Sequence, residues 1–173
     1  MMNYTVLEFE ELDSTNDFLK ENHSYFPHMT WTRSHYQTHG RGQFDRVWES
    51  KPKENLLFSI LIKDLKMNQV PTLKDIVLKS LQDFFSQYHI YPQFKEPNDL
   101  YVNDHKICGI LIETRNQESE IDYAIIGIGI NVNQTRFSYV LATSMKNLKH
   151  QDFDLDQVFK SYIKIFIDTY KKL

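Results

Sequence analysis

Four short segments of this 173-residue chain gather side chains that could do chemistry. Ser14-Thr15-Asn16 sets two hydroxyls and an amide in a row. The same residues suit a helix cap, because a side-chain oxygen there accepts from an orphan backbone N–H. The two readings are compatible, since a cap at a pocket rim can also face a ligand. Gln37 to Trp48 reads QTHGRGQFDRVW, with Gly40 and Gly42 flanking Arg41. Glycines let the backbone come close to an anion while the guanidinium grips it; a solvated flexible loop is the bland alternative. His35 and His39 stand four apart, a spacing that makes a metal pair only on a helix. This stretch is not helical, and no metal ligands are assigned.

The third segment is Lys95-Glu96-Pro97-Asn98-Asp99. A lysine at a strand end, followed by a proline turn, is aimed at a fixed point, although an ordinary charged strand end fits the pattern too. Neighbouring strand residues face opposite ways, so Lys95 and Glu96 do not share a face. The fourth is Gly127-Ile128-Gly129-Ile130-Asn131-Val132-Asn133. A dinucleotide fingerprint needs glycine or alanine where Val132 stands, followed by a helix, and neither requirement is met. What remains is a buried strand that delivers Asn131 and Asn133 to one spot, or glycines kept for close packing.

The elements that must position these groups follow from periodicity and caps. Thr5–Phe9 begins as a strand and yields to a short helix capped within Asp13–Thr15. Met29–Arg33 reads as a second strand, followed by a polar loop from Ser34 to about Arg46. Asn55–Lys63 is a buried strand. Pro71 opens the clearest helix, running to about Tyr88, with Leu73, Ile76, Val77, Leu81, Phe84 and Phe85 on one face. Tyr91–Lys95 is a strand stopped by Pro97, and Leu100–Val102 with Lys106–Glu113 makes a hairpin around Asn103-Asp104-His105. Ile121–Val132 is another strand. A helix from about Leu155 to Tyr170 closes the chain, with Val158, Phe159, Ile163 and Phe166 facing inward. This order predicts an α+β fold in a single domain over 1–173, with helices packed on a mixed, mainly antiparallel sheet.

Composition narrows the function classes. Hydrophobic residues at 41% and aromatics at 14% describe a folded protein. A net charge of −3 supplies no basic field that calls for nucleic acid. The lone Cys108 excludes an internal disulfide and a zinc cluster and suits a reducing cytoplasm. No signal peptide is visible, and the longest apolar run, Leu56–Ile62, is far too short to span a bilayer.

In combination the segments resemble the biotin protein ligase family: Ser14-Thr15-Asn16, Gln37 with Gly40-Arg41-Gly42 and Trp48, KEPNDLYVNDHKICGILIE, GIGINVN, and Ala142-Thr143-Ser144 occur in the family's order over nearly the whole chain. Lipoate ligases share the fold but carry an arginine-rich, multi-glycine loop ending in His-Asp, which is not found here. The resemblance implies a fold related to class II aminoacyl-tRNA synthetases. It also implies two half-reactions: biotin and ATP give biotinyl-AMP with magnesium, and a lysine of a biotin carrier domain then takes the biotinyl group. It assigns biotin contacts to Ser14, Thr15, Asn16, Gln37, Gly40, Arg41, Gly42, Gln43, Lys95 and Gly109. Nucleotide contacts fall on Arg41, Arg46, Trp48, Asn98, Lys106 and Asn131, and Lys95 and Arg41 are the catalytic cations. No general base is needed, because biotin's carboxylate is already ionised.

Three departures stand out. Gln43 replaces the family's arginine, Asp45 its glycine, and Glu96 its tryptophan. Many members also carry an amino-terminal winged helix and a carboxy-terminal β domain, for which this sequence leaves no room, so no DNA binding is expected. Members pair through their sheets, which leaves a homodimer open to this chain. The alternative function is a degenerate homologue that holds biotin or biotinyl-AMP for regulation.

Overall fold

The computed structural model describes residues 2–63, 65–117, 120–138 and 141–171. Seven strands form one sheet: β1 (Thr5–Phe9), β2 (Thr30–Ser34), β3 (Leu56–Ile62), β4 (Gln93–Lys95), β5 (Asp99–Val102), β6 (His105–Gln117) and β7 (Glu120–Ile130). Their order is β1-β2-β3-β7-β6-β5-β4. β1 and β2 run parallel, joined through helix α1 (Thr15–Asn22), and the other pairings are antiparallel. Helices α2 (Val70–Ser86) and α4 (Leu155–Tyr170) pack against each other over one face, and a short α3 (Met145–Lys149) precedes α4.

Alternation along the strands sorts the two faces. Toward α2 and α4 point Trp31, Phe58, Ile126, Ile128 and Ile130, in a core with Leu73, Val77, Phe84, Phe159, Tyr162 and Phe166. Toward α1 point Leu61, Tyr123 and Ile125, which enclose Leu19 in a second, smaller cluster. The inward faces read from the sequence for α2 and α4 are all buried. Arg33 on β2 is also buried. Its Nη1 donates to Asp156 Oδ1 at 2.6 Å, and its guanidinium lies 5.2 Å from the Phe159 ring centre.

Several boundaries differ from expectation for local reasons. Met29 has φ of 60°, a left-handed turn, so β2 starts at Thr30. Pro92 has no N–H to give a ladder, and β4 starts after it, at Gln93. β7 stops at Ile130 because the Val132 N–H is taken by the Asn55 side chain at 3.0 Å. α3 is too short to show a helical period. It is set by Ser144, whose hydroxyl accepts from Asn147 N, and it ends at left-handed His150.

Candidate functional site

On the α1 side of the sheet, β7 presents Gly127 and Gly129 and β6 presents Gly109, with the Leu111 side chain opposite Gly127. Gly109 and Gly129 are paired across the two strands, and Gly127 lies two residues before Gly129. This bare floor is what lets two groups press onto the sheet. A Cβ on Gly127 would overlap the Asn16 amide. A Cβ on Gly129 would come within 2.5 Å of the Trp48 indole, and one on Gly109 within 2.6 Å. The glycines therefore serve close approach, one of the two uses the sequence allowed. Above the floor opens a cleft of about 880 Å³, a size typical of ligand sites.

One end of the cleft is neutral and already ordered. Ser14 caps α1, accepting from Asp17 N at 3.3 Å, so the cap and pocket-rim readings hold together. Gln37 Oε1 accepts from Thr15 N at 2.8 Å and lies 3.0 Å from Thr15 Oγ1. Ser59 Oγ lies 2.7 Å from Thr15 Oγ1 and 2.5 Å from Asn16 Oδ1. Each hydroxyl has one proton. Two protons serve three oxygen–oxygen contacts: Thr15 Oγ1 donates to Gln37 Oε1, beside the Thr15 N–H, and the single Ser59 proton is shared between Thr15 Oγ1 and Asn16 Oδ1. Gln37 Nε2 then remains to donate into the cleft. Asn16 Nδ2 donates to Glu113 Oε2 at 2.8 Å. Both ends of the Asn16 amide thus have a partner within the protein, which fixes its orientation in the cleft wall.

The segment Gly40–Trp48 crosses the cleft as a strap. Arg41 bridges Val47, Trp48 N donates to Gly40 O at 2.8 Å, and Gly42 N donates to Arg46 O at 2.6 Å. Phe44 turns the tip with φ of 56°, so the stretch expected as an open loop is a tight hairpin. Gln43 Oε1, Trp48 Nε1 and Ser50 Oγ are buried with no hydrogen-bond partner among the described residues. The Asp45 side chain lies outside the described residues.

Arg41 is not a free cation. Its Nε and Nη2 donate to Asp17 at 3.0 and 2.6 Å, and Nη2 also donates to Glu113 at 2.8 Å. Burial works against the charge, yet the hydrogen bonds it donates to these two carboxylates, and their negative charge, outweigh it and raise the guanidinium above its ordinary pKa. Glu113 responds in the opposite sense. Burial disfavours its charge, but Asn16 and Arg41 hold the carboxyl below its usual range.

The other end of the cleft is charged. Lys106 on β6 forms an ion pair with Asp99 at 2.7 Å, and its ammonium lies 5.3 Å from the Trp48 ring. Arg46 is exposed, lines the cleft, and has no ion-pair partner among the described residues. Asn131 Nδ2 donates to Lys106 O at 3.3 Å, and its side-chain oxygen has no hydrogen-bond partner among the described residues. Asn98 lines the wall while its Nδ2 clamps Ile110 O at 2.6 Å.

Every residue assigned from the sequence lines this cleft except Lys95. Lys95 is the last residue of edge strand β4. Its ammonium is aimed at Asp104, 2.7 Å away, and over the Tyr101 ring at 4.6 Å, with nearly half of the side chain exposed. The strand end fixes its direction toward Asp104 and Tyr101, both of which line the cleft, so Lys95 stands at the rim while Lys106 lies within the lining. Asn133 is likewise not in the lining: it holds the backbone of Phe153 by two hydrogen bonds of 2.8 and 2.9 Å, ahead of α4. Sequence reasoning missed Asp99, which lines the cleft, and Asp17, Ser59 and Glu113, which hold lining side chains from just outside it. Among the described residues no group of three histidine, cysteine or acidic side chains converges as a metal site, and no helix is long and apolar enough to cross a membrane.

A mixed sheet of this order, with α1 and a glycine floor on one face and two packed helices on the other, is the biotin protein ligase fold, which is related to class II aminoacyl-tRNA synthetases. The chain belongs to the biotin/lipoate A/B protein ligase family, whose model matches residues 8–131. It is 30% identical over 152 residues to the bifunctional ligase/repressor BirA of Bacillus spizizenii, covering 84% of this chain and 47% of that one. It is 30% identical over 168 residues to biotin–protein ligase 2 of Arabidopsis thaliana, covering 90% and 50%. It thus spans about half the length of these curated relatives. Among solved structures, the biotin protein ligase of Aquifex aeolicus in complex with biotin and ATP superposes with a TM-score of 0.84 at 29% identity, covering 97% of this chain and 71% of that one.

Proposed function

We propose that this chain activates biotin with ATP and passes the biotinyl group to a lysine of a biotin carrier domain, acting as one catalytic domain in the cytoplasm. The observation that carries the reading is the continuity of one cleft. It joins a pre-ordered neutral set at Thr15 and Gln37 to the cations Lys106 and Arg46. Biotin's ring urea is neutral and needs both donors and acceptors in an enclosed site. Gln37 Nε2 suits the urea oxygen, and the hydroxyl oxygens of Ser14 and Thr15 suit its N–H groups.

In the first step a biotin carboxylate oxygen bonds to the α-phosphorus of ATP, and the bond to the bridging oxygen breaks to release pyrophosphate. Both reactants are anionic, so a fixed cation lowers the barrier without any proton transfer. Lys106, held by Asp99 and the Trp48 ring, fits that role. Magnesium would arrive with the nucleotide, bound chiefly through phosphate oxygens and needing only one or two from the protein. Asp99 and the side-chain oxygen of Asn131 are the groups that fit. In the second step the acceptor amine attacks the biotinyl carbonyl carbon and AMP leaves with the anhydride oxygen.

ATP–pyrophosphate exchange, run with biotin and with lipoate, tests the reading. Exchange is expected with biotin only. Exchange with lipoate alone would overturn the substrate. Biotin binding by calorimetry without exchange would replace the ligase with the regulatory binder.

A further inference from the structure

We infer that Glu113 is a positioning residue that ties the Gly40–Trp48 strap to the α1 end of the cleft, with Arg41 serving as the brace. Glu113 lies on β6, and its Oε2 accepts from two elements at once: Asn16 Nδ2 of α1 at 2.8 Å and Arg41 Nη2 of the strap at 2.8 Å. Asp17 holds the same guanidinium from the α1 side, and Lys20 Nζ lies 3.7 Å from Glu113 Oε1. Two cations therefore face two carboxylates. An anion approaching Arg41 would meet a charge already compensated, so the contact's value lies in geometry. These groups are partly exposed, and ion pairs of that kind add little stability by themselves. What they add is direction, because a bidentate guanidinium fixes the plane of both partners.

The consequence reaches the neutral end of the cleft. Contacts run without a break from Arg41 to Glu113, to Asn16, to Ser59, to Thr15 and to Gln37. Without the Glu113 carboxylate, Asn16 Nδ2 keeps only Leu111 O at 3.4 Å. The amide that accepts from Ser59 then loses its anchor, while the strap loses its link to β6. Lys106, Asp99 and Asn131 take no part in this chain of contacts; the ATP end meets it only through Trp48, on which the Lys106 ammonium rests, and Arg46, both carried by the strap. Glu113 thus governs chiefly how biotin is seated and touches ATP only indirectly, through the strap, an inference whose kinetic arm rests on the function proposed above.

The test compares Glu113→Ala with Glu113→Gln, which keeps an acceptor oxygen and the side chain's shape. In Glu113→Ala, hydrogen exchange at the strap amides Gly42 and Trp48 is expected to quicken about tenfold, with Ile126 and Ile128 in β7 unchanged. In pyrophosphate exchange, KM for biotin should rise about tenfold, equivalent to about 1.4 kcal/mol, with KM for ATP rising by a clearly smaller factor. Glu113→Gln should fall between Glu113→Ala and the native chain in both readouts. Unchanged strap exchange in Glu113→Ala overturns the tie. A fall in kcat with neither KM moved would place Glu113 at the reacting atoms, and faster exchange throughout β7 would make its role merely structural; either result overturns the inference. Should the native chain show no exchange with biotin at all, the ligase reading fails, and the amide measurement alone still decides the tie.

Discussion

The two faces of the central strands follow opposite rules. In β7, Ile126, Ile128 and Ile130 fill the core under α2 and α4, whereas Gly127 and Gly129, and Asn131 just beyond the strand, look into the cleft. One segment therefore builds stability on its even positions and room on its odd ones. Burial of large apolar side chains supplies most of what holds such a sheet together. A ligand site needs the reverse, a floor without side chains and polar groups brought in from elsewhere. Because the strand period is two, neither demand compromises the other.

That contrast can be broken from either side. Trp31 is fully buried against Phe58, Phe159, Tyr162 and Phe166. Trp31→Ala should cost about 3–5 kcal/mol in urea denaturation, with biotin affinity of the folded protein unchanged. A loss below about 1 kcal/mol would remove the core face from its role. On the other face, Lys106→Ala should slow pyrophosphate exchange at least about 100-fold, the effect of removing a fixed cation from developing phosphate charge. Lys95→Ala should slow it by less than about tenfold, since an exposed lysine paired with Asp104 is largely screened. Finding the two effects in the opposite order would put Lys95 at the phosphates. The smallest effect is expected at the neutral end. Gln37→Ala should weaken biotin binding by about 1–3 kcal/mol in calorimetry, the cost of an unpaired buried polar group, and leave the denaturation midpoint nearly fixed.

The helices were legible because their information is local. α4 has the bounds its pattern gives, with Asp154 capping Leu155, and the apolar positions three and four apart are those that are buried. Most of the cleft lining was legible through the motif order, which the family model and the solved ligase structures support. What could not be read depends on pairing across the sheet. Ser59 meets Asn16 from 43 residues away, and Glu113 meets Arg41 from 72. No local spacing announces either contact. Lys95 shows the same limit from the other side: a strand end and a proline turn fix that a side chain is aimed, while the pairing of β4 with β5 decides where. Arg41 teaches a further lesson: two flanking glycines suggest an anion grip, but nothing local in the sequence shows that Asp17 and Glu113 fold against its Nε and Nη2.

The glycine floor also sets which way the cleft can change in size. Growth of a side chain from Gly109 or Gly129 meets the Trp48 indole at once, and from Gly127 it meets Asn16. Single substitutions at the floor therefore cannot narrow the site by small steps; each is all or nothing. Trp48 is different, because it sits on the glycines and depends on them without supporting the sheet beneath. Trimming that one ring frees a bulky volume directly over a flat surface. The cleft is thus closed to gradual shrinkage and open to enlargement, which makes Trp48 the natural handle for admitting larger ligands.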